Sequence, residues 1–196
     1  MPSWGPEYLI HMTNVWSSNT KGRAVYSVCV AVTMLAFPGC HRSETITNNS
    51  APPEVSLGTK ITFGEGGNAE PYKISGWSKT EEKFTWTEGT SAELHIPIGA
   101  TSETVALKMR IAALIKPPEL PYQPVEISVN NQKIAEWQVG NTAEFVAAIP
   151  HDITKLGGVL AITIKTPKAT SPKALSLSAD PRILGICCLD LELSKG

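Results

Sequence analysis

From residue 54 to the end of the 196-residue chain, apolar residues come in short runs that mostly alternate with polar ones and close on Pro, Gly or Asn. A period of two puts successive side chains on opposite faces of an extended backbone, so each run specifies a strand with one buried face. Residues 92–98 set Leu94, Ile96 and Ile98 on one side and Glu93, His95 and Pro97 on the other. Pro97 argues against a fully paired central position there. Residues 104–115 form the longest apolar run and the one place where a helix competes. Val105, Leu107, Met109 and Ile111 alternate with Ala106, Lys108, Arg110 and Ala112, and that period reads as a strand. Residues 125–129 and 134–139 flank Asn130-Asn131-Gln132-Lys133, the signature of a hairpin whose turn residues tolerate left-handed conformations. Further strands are expected at 54–63 (with a bulge at Gly58), from 72 and from 84, and at 143–149, 159–166, 174–177 and 183–193. A turn with one helical turn capped by Asp152 is expected between 150 and 158. About nine or ten strands at spacings of roughly 8–12 residues specify an all-β, antiparallel β-sandwich. Pairing of its first and last strands would make it a jelly roll.

Composition agrees: fifteen Pro and fifteen Gly suit tight turns between strands, and 42% hydrophobic with 18% charged residues suits a folded domain. A net charge of -1 gives no electrostatic reason to bind nucleic acid. Cys187 and Cys188 are adjacent in an expected strand, so one is read as buried and the other as facing out. No cysteine spacing suggests a disulfide framework or zinc.

Residues 1–40 read as a signal peptide. From Met12, a stretch containing Lys21 and Arg23 precedes the apolar 24–37, which falls short of the ~20 residues needed to span hydrocarbon. It ends in Phe37-Pro38-Gly39-Cys40, which resembles a bacterial lipobox. The resemblance implies that the Cys40 thiol is lipidated and anchors the chain in the bacterial cell envelope. His41, in place of the Asp associated with inner-membrane retention, implies the outer membrane, facing the periplasm. Residues 41–53, rich in Ser, Thr, Asn and Pro, read as a flexible tether to a domain at 54–196.

Residues 72–89, YKISGWSKTEEKFTWTEG, concentrate aromatic side chains among Gly, Ser, Thr and Glu. Indole and phenol faces stack on the apolar face of a sugar ring while neighbouring oxygens bond its hydroxyls. Trp77, next to Gly76 at a strand break, is expected at a wet edge, and Tyr72 and Trp137 are further ligand candidates. Trp86, sharing a face with Phe84, is expected in the core. Asp180 and Arg182 read as a turn-pinning ion pair, with a bidentate contact from Arg182 to a uronate or phosphate as the alternative. Glu81 and Glu82 read as a solvated loop or, alternatively, as calcium ligands. No cofactor is indicated. Neither His95 nor His151 has a nucleophile context, and no phosphate-binding glycine motif occurs, so a catalytic role is not expected.

Gly76-Trp77-Ser78, Trp86-Thr87 with Gly89, Val125-x-Ile127-x-Val129-Asn130 with Trp137, Ser171-Pro172 with Leu175, and above all Asp180-Pro181-Arg182-Ile183-Leu184-Gly185-Ile186 carry a resemblance. Over about 54–193 the chain resembles the soluble galactose-binding-like or jelly-roll domain appended to bacterial multi-pass membrane glycosyltransferases. This chain carries no transferase segment, so the resemblance implies association with sugar rather than its transfer. The expectation is a non-catalytic, membrane-tethered carbohydrate-binding module with an envelope polysaccharide or glycan as partner. The rival is a structural or protein-interaction lipoprotein with every aromatic buried.

Overall fold

A computed structural model describes residues 51–196. The signal peptide, Cys40 and all but the last three residues of the tether lie outside the described residues. The described chain forms ten strands: β1 (Lys60–Thr62), β2 (Lys73–Ser75), β3 (Thr85–Glu88), β4 (Ser91–Ile98), β5 (Val105–Ala113), β6 (Gln123–Val129), β7 (Gln132–Val139), β8 (Ala143–Ile149), β9 (Gly158–Lys165) and β10 (Leu184–Lys195), with a one-turn helix α1 (His151–Thr154). Sheet A runs β1-β10-β5-β8, with β3 also on β10, and sheet B runs β2-β4-β9-β6-β7. Every strand pairing is antiparallel. After β1 and the edge pieces β2 and β3, the chain crosses between the sheets at every step except the β6–β7 hairpin, which stays in sheet B, and β10 returns to lie beside β1. This is the jelly-roll winding the first-to-last pairing requires.

The inward residues follow from period two. Val105, Leu107, Met109 and Ile111 of β5 meet Leu94, Ile96 and Ile98 of β4, Val125, Ile127 and Val129 of β6, and Leu160, Ile162 and Ile164 of β9 in one core cluster. Residues 104–115 are thus a strand, as their alternation specifies. The β6–β7 hairpin turns on two residues only, Asn130 (φ 48°) and Asn131 (φ 66°), the left-handed pair a two-residue hairpin needs. The Asn130 backbone N–H donates to the Ala161 carbonyl of β9 at 2.9 Å, and the Asn130 side-chain oxygen accepts from the Ala161 N–H at 2.8 Å. β2 reaches along β4 only to Glu93 and Leu94, so beyond it Pro97 lies where no sheet neighbour needs its missing N–H.

Four expectations are corrected. The run at 54–63 is not one bulged strand: Val55 donates to the Pro97 carbonyl of sheet B, while Gly58 donates to Leu193 and Ile61 pairs with Leu191 in sheet A. The chain crosses between layers at Gly58 (φ 86°), which leaves three residues for β1. Residues 174–177 form a turn, with Ser176 at φ 57°. Asp152 does not cap α1; it sits in the first turn and pairs with Lys155. Both cysteines are buried: Cys188 faces the core, and Cys187, on the opposite face, is 7% exposed.

Candidate functional site on the outer face of sheet A

The stretch rich in aromatics folds by a sharp reversal. Gly76 has φ 74°, and a Cβ there would lie 2.0 Å from the Ser91 carbonyl oxygen, so only glycine lets this segment close against β4. Trp77 then pairs with Thr87 across an isolated bridge. Its ring stands 5.1 Å from Phe63 and packs on the core cluster, and its indole N–H donates to the Glu93 carbonyl at 2.9 Å. The expectation of a wet edge at Trp77 is therefore corrected. Tyr72 is 5% exposed, and burial pushes its phenol pKa up, so its ring has no free face for stacking. Trp137 shares the inward face of β7 and lies 5.3 Å from Phe145 of β8. These two rings close the side of the sandwich where the edge strands of the two sheets meet.

Trp86 takes the opposite role from the one expected. On β3 the residues turned inward are Thr85 and Thr87, both fully buried. Thr85 Oγ1 donates to the Phe63 carbonyl at 2.6 Å, and Thr87 Oγ1 accepts from the Ile186 N–H at 3.1 Å. With their hydroxyls satisfied, two β-branched residues fill the interior, and Trp86 is left on the outer face. Phe84 meets it edge to face at 5.8 Å, and both rings are half-buried without joining the core cluster. Across the sheet, Trp86 stands opposite Cys187, and Cys187 opposite Ala112 of β5. Cys187 faces outward, yet burial shields it and pushes its thiol pKa up to about 11, so it is held as an unreactive thiol.

Three residues further along β10, past a bulge between Cys188 and Asp190 that returns the side chain to this side, the same outer face carries Asp190 opposite Arg110 of β5. Asp190 is nearly buried and accepts from Arg110 Nε at 2.7 Å, with Lys60 Nζ at 3.5 Å from its other oxygen. Arg110 stays half-exposed, leaving guanidinium donors free to face outward. Thr62, Glu65, Glu82, Lys83, Arg110 and Asp190 surround a cleft of about 380 Å³, with the loop of Gly64, Gly66 and Gly67 as one wall. At Gly67 a Cβ would lie 2.2 Å from the Thr62 carbonyl oxygen, so the wall can close only without a side chain. The rings and the cleft adjoin through Lys83-Phe84, in the loop that leads into β3, and Cys187–Asp190 on β10.

At the other end of the platform Arg182 is brought beside β3. Its Nε and Nη2 donate to Asp180 at 2.9 and 2.6 Å, and Nη2 lies 3.6 Å from Glu81 Oε1. The bond from Arg182 holds the Asp180 carboxyl below the usual carboxylate range, and Asp180 in turn raises the Arg182 pKa. The ion pair read from the sequence is present, and the Glu81 carboxylate turns to Arg182. Among the described residues no group of three or more His, Cys, Asp and Glu side chains is arranged to hold a metal ion. His95 meets Glu93 at 2.7 Å, but on the flat outer face of β4 and in neither cleft.

The structure thus brings together Arg182, Trp86 and Phe84, and sends Tyr72, Trp77 and Trp137 to packing positions. Sequence reasoning missed Arg110 and Asp190. An acid inside the apolar run ICCLDLEL was the available signal, because a carboxylate in a two-sided buried strand demands a cationic partner.

No protein-family model matches the chain, and no curated protein does. Among solved structures the chain is similar to the first family 36 carbohydrate-binding module of a multidomain xylanase from the hindgut metagenome of Trinervitermes trinervoides. That likeness has 11% identity over 70% of this chain and 97% of that one, with a TM-score of 0.43. It is also similar to the C-terminal family 6 carbohydrate-binding module of a laminarinase from Zobellia galactanivorans, at 12% identity over 70% and 98% with a TM-score of 0.41. A family 35 carbohydrate-binding module from Clostridium thermocellum gives 12% over 70% and 99%, also at 0.41.

Proposed function

We propose that the outer face of sheet A binds glycan without transforming it, with Trp86 and Phe84 as the stacking platform and the adjoining cleft as the site for hydroxyl contacts. The observation that carries this reading is the aromatic pair itself. Two large rings stand outside the core at the outer face of sheet A, beside exposed Arg110, Lys83 and Glu82. An exposed indole against a sugar ring removes apolar surface from water, and planar guanidinium donors with carboxylate acceptors suit vicinal hydroxyls. Arg182 already has two carboxylates in reach, so its part is to hold the loop beside β3 in place.

The test is a glycan array probed with the protein, repeated with Trp86→Ala. Wild-type protein is expected to retain a defined set of glycans, and Trp86→Ala to weaken them by up to about tenfold, since stacking contributes about 0.5–1.5 kcal/mol. Retention of the same glycans at the same affinity by Trp86→Ala would overturn the assignment, as would an array with no binder.

A further inference from the structure

Behind the glycine loop, on the side away from the platform, lies a second cleft of about 460 Å³. Lys73 reaches into it from β2 with a side chain only 7% exposed. Its ammonium donates to Glu70 Oε2 at 2.6 Å and to Thr80 Oγ1 at 3.0 Å. A lysine ammonium has three donors, and a desolvated cation is costly unless an anion accompanies it. Here that anion comes from the surface: the Glu70 side chain is 78% exposed and stands on a single 3-10 turn, Glu70–Tyr72, at the lip of the cleft. The buried cation is fixed and its counter-ion is not, so an incoming carboxylate can take the Glu70 position without creating an unpaired buried charge.

We infer that this cleft takes the carboxylate of an acidic saccharide, a uronate, which displaces Glu70 from Lys73 and lies beside the Ser78 and Thr80 hydroxyls. The lining carries Lys73 and Lys79 against Glu65 and Glu70. A monoanion that turns Glu70 out to water keeps that balance, whereas a phosphate dianion would add a surplus negative charge. The inference rests on the glycan-binding reading, because Thr62 and Gly64–Gly67 wall both clefts and one saccharide chain crossing that wall would meet both.

The test is calorimetric titration of the full chain with trigalacturonic acid and with its fully methyl-esterified form. The acid is expected to bind more tightly than the ester, and Lys73→Met to abolish that preference, a loss of about tenfold or more for a charge-assisted bond. Glu70→Gln, which takes the charge from an exposed side chain but keeps an amide oxygen beside Lys73, is expected to tighten the acid by removing its internal competitor, in protein shown by circular dichroism to be folded. Equal binding of acid and ester, or weakening by Glu70→Gln, would overturn the inference even if Lys73→Met proved too unstable to assay. Trp86→Ala separates this site from the platform. Loss of both ligands in that variant supports both assignments, whereas acid binding that survives Trp86→Ala but not Lys73→Met upholds the Lys73 cleft and removes the platform.

Discussion

Trp77 and Trp86 differ in what their rings touch. Trp77 has a carbonyl partner for its N–H and Phe63 against its face, while Trp86 has only Phe84 at its edge. Removing the first ring leaves a cavity beside the core and an unpaired Glu93 carbonyl; removing the second uncovers an already half-exposed surface. Trp77→Ala is expected to cost about 3 kcal/mol in chemical denaturation, and Trp86→Ala about 0.5 kcal/mol or less. Equal losses, or the reverse order, would place Trp86 in the core. Alternation in KFTWTE established that Trp86 and Phe84 share a face, but it carries no sign. The choice of face fell to Thr85 and Thr87, whose hydroxyls find buried partners on Phe63 and Ile186, one of them 99 residues away.

At the scale of elements, β10 is the strand on which sheet A is assembled: its 12 residues pair with β1, β3 and β5. Its near-continuous apolar start follows from cover on both sides, which is why the alternation used elsewhere fades there. The segment leading into it is pinned by Asp180, which accepts the Arg182 backbone N–H at 2.9 Å as well as the guanidinium. The folded pKa of Asp180 lies below the ordinary carboxylate value of about 3.9, so its contribution is complete above that pH and is lost as pH falls through the folded value. Asp180→Asn is expected to cost about 1 kcal/mol at neutral pH. The gap between variant and wild type should close below about pH 4. Denaturation midpoints measured from pH 7 to pH 3 check this, and a gap that widened on acidification would contradict it. The strands at 92–98, 105–113 and the β6–β7 hairpin were legible because a single buried face or a two-residue Asn turn writes itself into local sequence. The crossing at Gly58 was not, because Val55 and Ile61 keep one alternation while bonding to different sheets.

For the whole molecule, the jelly-roll closure joins residues far apart in sequence, β1 with β10 and β3 with β10, and these two closures assemble the outer face on which Trp86, Cys187, Asp190 and Arg110 meet. The class of fold could be read from strand count and spacing, yet this face could not, since it depends on which strands become neighbours. The most direct measurement is a two-dimensional NMR titration of the indole N–H signals, of which the chain has five, with a glycan selected on the array. The Trp86 signal, assigned by its loss in Trp86→Ala, is expected to shift saturably with the bound fraction while those of Trp77 and Trp137 stay in place. Saturable shifts of Trp77 or Trp137 with Trp86 unmoved would put the sugar elsewhere and contradict the platform on sheet A.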